Sequence, residues 1–160
     1  MIKRMISGGQ TGVDRAALDA ALELRIPCGG WCPKGRRAED GKIPLRYPLN
    51  DTPSEEYYQR TRWNVRDARG TLVLTRGALS GGTAQTVDIA RELGRPCLVL
   101  DLTEEPHPEV VAQWAATHRI TTLNVAGPRE SRCPGIQLQA KRFLRAALLA
   151  FATQQALRGR

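Results

Sequence analysis

Twice in this chain an apolar run that reads as a strand breaks into a glycine loop and then into an amphipathic stretch. Ser7-Gly8-Gly9-Gln10-Thr11-Gly12 follows Ile2 to Ile6, and Leu79-Ser80-Gly81-Gly82-Thr83 follows Thr71 to Thr75. Glycine lets backbone approach a ligand closely. The first turn of the helix that follows aims unpaired N–H groups and a partial positive charge at the same place. Each loop therefore predicts either an anion site, with phosphate the usual occupant, or a tight strand-to-helix turn without a ligand, and the repetition favours the anion site. Neither loop carries the three spaced glycines of a dinucleotide fingerprint or the lysine of a nucleoside-triphosphate loop, so NAD binding and ATP hydrolysis are unsupported.

The rest of the chain continues the alternation. Val13 to Leu24 has the period of a sheet-packing helix, and Pro27 to Trp31 reads as a short second strand. Cys32 to Ser54 is rich in Pro, Gly and charge with no sustained period. Ser54 to Arg69, Thr83 to Leu93, Glu109 to Thr117 and Ile136 to Leu157 read as helices; Thr71 to Thr75, Cys97 to Leu102 and Ile120 to Val125 read as strands. Strands and helices alternating through short links predict an α/β fold: a single three-layer, doubly wound, Rossmann-like domain spanning residues 1–160, with about five mainly parallel strands. Ligands in such sheets bind beyond the carboxyl ends of the strands, where strand order reverses. Both glycine loops and Gly127-Pro128-Arg129-Glu130 belong at that edge.

A chain of 160 residues buries roughly 70% of its unfolded surface and needs no staple. Cys28, Cys32, Cys97 and Cys133 have neither disulfide-framework nor zinc spacing, and His107 and His118 are too scattered for a convincing metal site. No apolar stretch reaches membrane-spanning length, and the start runs straight into a strand, which predicts a cytoplasmic protein with no membrane partner. The net charge of +8 implies a negative partner. With only 5% aromatic residues and no aromatic-basic alternation, nucleic acid ranks below a phosphorylated small molecule.

In the expected crevice, the loop amides and the hydroxyls of Ser7, Thr11, Ser80 and Thr83 would bind phosphate oxygens. Asp14 suits either a ligand contact or the dipole of the first helix, and Arg15 a ligand contact. The irregular stretch places Lys34, Arg36, Arg37, Glu39 and Asp40 within seven positions, after a strand and so at the same edge. Trp31 and Trp63 read first as packing residues and second as stacking surfaces for a flat ring.

These residues also resemble a family. The run Ile6 to Asp19, the run Gly30 to Gly41, and the later Arg60-Thr61, Asn64-Val65-Arg66-Asp67 and Ser80-Gly81-Gly82-Thr83 are similar to the putative molybdenum carrier proteins, a likeness spanning roughly Ile2 to Leu102. That family belongs to a Rossmann-like superfamily of nucleotide-ligand sensors and processing enzymes, which includes lysine-decarboxylase-like proteins and phosphoribohydrolases. The resemblance implies binding of molybdenum cofactor (molybdopterin), or otherwise a nucleotide-derived ligand, in a carrier or storage role. It implies cofactor contacts from Ser7, Gly8, Gly9, Gln10, Thr11, Gly12, Asp14, Arg15, Lys34, Arg36, Arg37, Asn64, Ser80, Gly81, Gly82 and Thr83. Phosphoribohydrolase relatives carry a catalytic glutamate after their glycine-threonine motif, where this chain has Thr86. A nucleotide-processing hydrolase, the alternative, would have to draw on Asp14, Glu39 or Asp40. Relatives commonly form dimers, for which the apolar face of the last helix is available if it does not pack on its own sheet.

Overall fold

Every residue from Gly70 to Thr75 is buried, as a leucine-rich and β-branched run is when a parallel sheet is covered on both faces. In the computed structural model, which describes residues 1–158, that run is the seventh of nine strands. The chain passes through β1 (Arg4–Ile6), α1 (Val13–Glu23), β2 (Cys28–Gly29), β3 (Trp31–Cys32), β4 (Arg37–Ala38), β5 (Gly41–Lys42) and β6 (Asn50–Asp51). It continues through α2 (Tyr57–Asp67), β7 (Gly70–Thr75), α3 (Gly81–Glu92), β8 (Cys97–Asp101), α4 (Glu109–Thr117), β9 (Thr122–Ala126) and α5 (Ile136–Arg158).

Five strands form one parallel sheet in the order β2-β1-β9-β7-β8, with Met5 opposite Cys28 and Leu123, and Leu72 opposite Leu98 and Val125. β1 leads outward to β2 and β7 leads outward to β8 in the opposite direction, so strand order reverses around β9. α1, α4 and α5 pack together on one face, α2 and α3 on the other. Alanines 16, 17 and 20 of α1 let α5 come close, where Ala140, Leu144 and Leu148 meet them. Ile136, Ala140, Leu144, Ala147, Leu148 and Phe151 of α5 are thus covered within the chain. No helix among the described residues is long and apolar enough to cross a membrane.

The single strand expected over Pro27 to Trp31 is two. Gly30 turns the chain at φ +132°, where an added Cβ would lie 2.2 Å from the Ser7 carbonyl oxygen. Beyond it Trp31–Cys32 leaves the main sheet and pairs in parallel with Asn50–Asp51. The stretch that lacks periodicity in sequence is ordered by long-range contacts. Tyr47, Ile43 and Leu49 join Leu18 and Cys32 in a second core, and the Tyr47 hydroxyl donates to Asp19 Oδ1 at 2.7 Å. Burial, with Asp51 alongside, pushes the Cys32 thiol up to about 11, so it is an inert packing residue.

Arg36 ties this stretch together. Its guanidinium donates to the carbonyls of Ile43, Leu49, Pro44 and Tyr47 at 2.8–3.1 Å. Arg36→Met keeps the stem and removes all four bonds; charged hydrogen bonds of this kind predict a loss of about 3 kcal/mol, read as a lower urea midpoint. An unchanged midpoint would mean that water replaces the guanidinium at no cost.

Candidate ligand crevice

At the carboxyl edge, around the reversal of strand order, lies a crevice of about 450 Å³. Gly8 and Gln10 of the first loop, Ser80 to Thr83 of the second, and Gly127, Pro128 and Arg129 after β9 all line it. Tyr57, Arg60, Thr61 and Asn64 reach it from one face of α2.

The two glycine loops are not equivalent. In the first, successive backbone donors are engaged by the protein itself: Gly9 N–H by Ser7 Oγ, Gln10 N–H by Asp14 Oδ2, Thr11 N–H by Gln10 Oε1 and Gly12 N–H by Gln137 Oε1, at 3.1–3.4 Å. Its glycines make room for the chain's own atoms. An added Cβ would lie 1.6 Å from Arg60 Nη1 at Gly8, 2.4 Å from Leu49 at Gly9 and 2.3 Å from the Pro128 carbonyl oxygen at Gly12.

The second loop is open. α3 begins at Gly81, two residues earlier than its periodicity suggests, so both glycines belong to the first helical turn. Ser80 makes no side-chain capping bond, and Ala84 N–H is the donor that reaches the Ser80 carbonyl, at 3.2 Å. The N–H groups of Gly81, Gly82 and Thr83 precede it and have no intrahelical acceptor. Around a Cβ built at Gly81 or Gly82 there is nothing within 4 Å. Of the two expected anion cups, only this one is open.

The crevice is electropositive. Arg60, Arg76, Arg129 and Arg132 line it, against Asp14 as the one carboxylate among its lining residues. Arg76 is held by Gln139 Oε1 at 2.7 Å and the Pro134 carbonyl at 2.9 Å. The guanidiniums of Arg37, Arg60 and Arg129 lie 5.2–5.6 Å from the Tyr57 ring centre. Arg60 Nη1 donates to Asp14 Oδ2 at 2.8 Å. Burial raises the Asp14 pKa above the ordinary carboxylate value even though Arg60 pulls it down.

A family model described as the circularly permutated YpsA SLOG family matches residues 5–148. The chain belongs to that family. The crystal structure of a putative molybdenum carrier protein from Syntrophus aciditrophicus SB is similar at a TM-score of 0.88 and 43% identity, over 92% of this chain and 95% of that one. No curated protein matches.

On this SLOG domain the expected site residues divide into two groups. Gly8, Gln10, Asp14, Asn64, Ser80, Gly81, Gly82 and Thr83 line the crevice. Asn64 also pins β3 to α2, accepting from Trp31 N–H at 2.8 Å and donating to its carbonyl at 2.9 Å. Ser7, Gly9, Thr11, Gly12, Arg15, Lys34, Arg36 and Arg37 are not among its lining residues. Ser7 Oγ donates to the Asp14 carbonyl, and Thr11 Oγ1 donates to Glu39. Arg15 makes a two-pronged pair with Asp40, whose carboxyl it holds below the usual range. Lys34 is exposed, Arg36 is engaged by loop carbonyls, and Arg37 is exposed beside Tyr57.

Glu39 and Asp40, the other two catalytic candidates, do not line the crevice. Burial works against the Glu39 charge, yet hydrogen bonds from Ser131 and Thr11 lower its pKa, leaving a committed acceptor rather than a proton donor. Sequence reasoning gave no role in the site to Arg60, Arg76 and Arg132. Arg76 could have been found as the first residue beyond a buried strand, and Arg60 by its helical spacing with Tyr57 and Asn64.

Proposed function

We propose that the crevice binds a phosphorylated heterocycle, molybdenum cofactor first and a nucleotide derivative second, with the phosphate on the N-terminus of α3. The open glycine turn carries this reading. Its amides and helix dipole contribute roughly 0.3–1 kcal/mol to an exposed anion, and charge-assisted bonds from Arg76, Arg129 or Arg132 would add to it. Tyr57 lines the same crevice and offers a flat surface for the ring. The name of the Syntrophus protein supports the cofactor as first ligand. These donors suit a phosphorylated pterin, which brings its metal on its own dithiolene and asks of the protein only a hold on phosphate and ring.

Calorimetry with molybdopterin and a panel of nucleoside monophosphates tests the proposal. Binding in the micromolar range by at least one of them is expected; nothing tighter than millimolar for any phosphorylated heterocycle ends it. Hydrolysis survives as a second reading on one residue, because Asp14 is a buried carboxylate with a raised pKa in the crevice wall. Against it, Thr86 lines the crevice where the relatives' glutamate would stand, and its hydroxyl is engaged by the Gly82 carbonyl at 2.8 Å. Nucleotide turnover that Asp14→Asn abolishes would favour hydrolysis over carriage.

A further inference from the structure

The four guanidiniums that line the crevice face one lining carboxylate, a surplus of three positive charges. The cations are fixed in separate places. Arg76 is held against α5 by Gln139 Oε1 and the Pro134 carbonyl, both uncharged. Neither it nor Arg132 pairs with a carboxylate among the described residues. Arg60 comes from α2 and Arg129 from the turn after β9, and they meet at one ring, 5.6 and 5.3 Å from the Tyr57 centre. Arg60 keeps 13% and Arg129 35% of its side-chain surface exposed, so a ligand in the crevice can reach both.

Their own carboxylates offset this pair only in part. Asp14 is 2.8 Å from Arg60, but Glu39 stands 3.8 Å from Arg129, does not line the crevice and is engaged by Thr11 and Ser131. Arg37, a third guanidinium at the same ring, has the Glu55 carbonyl as its acceptor at 3.4 Å. Like charges fixed this close repel one another, and a bound anion relieves the repulsion. A phosphomonoester carries about −1.5 to −2 at neutral pH, and the α3 N-terminus by itself offsets about half a charge. One phosphate therefore leaves more than one positive charge of the lining unmatched.

We infer that the ligand brings a second phosphoryl group, received by Arg60 and Arg129 beside Tyr57, so that the crevice takes a heterocycle carried on a diphosphate in preference to one on a monophosphate. The inference rests on the proposed function, in which the α3 turn holds a phosphate. The terminal phosphoryl group then lies on α3 and the inner one at the Arg60–Arg129 pair. Charge-assisted hydrogen bonds to that inner group are the ones a monophosphate cannot make.

Inosine and adenosine, each as the 5′-mono- and 5′-diphosphate, test this by calorimetry with a chelator present, so that the free anions bind. With either ring the diphosphate is expected to bind about 10- to 100-fold tighter. Arg129→Gln, with a melting curve to show that it folds, should bring that ratio close to one, and Arg129→Lys, which keeps the charge, should retain part of it. A ratio of one in the parent protein, with both nucleotides lost in Gly82→Asp, would overturn the inference and leave the phosphate reading standing. So would molybdopterin, a monophosphate, binding where no nucleotide does. A ratio unchanged by Arg129→Gln would overturn the assignment of the second group to this pair. No binding of nucleotides or molybdopterin would overturn both readings.

Discussion

Gly82→Asp is expected to leave the fold intact and to weaken binding of any phosphorylated ligand by about 100-fold or more, because a carboxylate in the first turn of α3 competes for the same N–H groups and repels the phosphate. The stability half of the prediction follows from the open space at this position, with nothing within 4 Å of an added Cβ. An acidic residue in the first helical turn is favoured by the dipole, and replacing glycine there restricts the unfolded chain, so the thermal midpoint should stay level or rise slightly. Few substitutions separate folding from binding so cleanly. Calorimetry with molybdopterin or inosine monophosphate, beside a melting curve, reads both halves. Parental affinity in this variant would move the phosphate away from α3.

Gly12→Ala makes the opposite demand. It should cost about 3 kcal/mol or more, because two penalties of the 1–3 kcal/mol class coincide. The backbone at Gly12 has φ +82° and ψ −130°, outside the regions open to residues with a Cβ. The added atom would also lie 2.3 Å from the Pro128 carbonyl oxygen and 2.8 Å from the Glu130 amide nitrogen. Backbone atoms cannot swing aside as a side chain does, so α1 would be pushed from the loop that follows β9. Gly35→Ala is the control: it carries φ +77° but meets nothing within 4 Å, and backbone strain alone, about 1–2 kcal/mol, is expected. Similar urea midpoints for the two variants would show that close packing at Gly12 contributes nothing.

This contrast between glycines explains what sequence reading could and could not reach in the site. At the level of the string, Gly8-Gly9 and Gly81-Gly82 have the same appearance and the same place between strand and helix. The difference lies in what stands opposite each: Arg60, Leu49 and the turn after Ala126 fill the first loop, and these come from segments 40 to 116 residues away. Arg15, Lys34 and Arg36 illustrate the same limit. A basic residue near a phosphate loop suggests a ligand, yet Asp40 takes Arg15 and four carbonyls take Arg36.

Periodicity was enough for the elements that span the sheet. β7 was readable from its unbroken β-branched and leucine run, α1 from its apolar spacing, and the edge of the sheet that holds the crevice from the alternation of strands with helices. The short pairs β3 with β6 and β4 with β5 were not readable, because two residues carry no period and their pairing is held by side chains such as Asn64 and Arg36.

By itself the amino-acid sequence determined the α/β layering, the parallel sheet and the location of the crevice, since these follow from local hydrophobic patterning and short right-handed connections. Tertiary structure alone decided which glycine turn stays open, which arginines line the crevice, and which polar side chains near the first loop are engaged by the chain itself. Those properties depend on contacts between distant segments, and whether a polar group is satisfied by its own chain is set only when those segments meet.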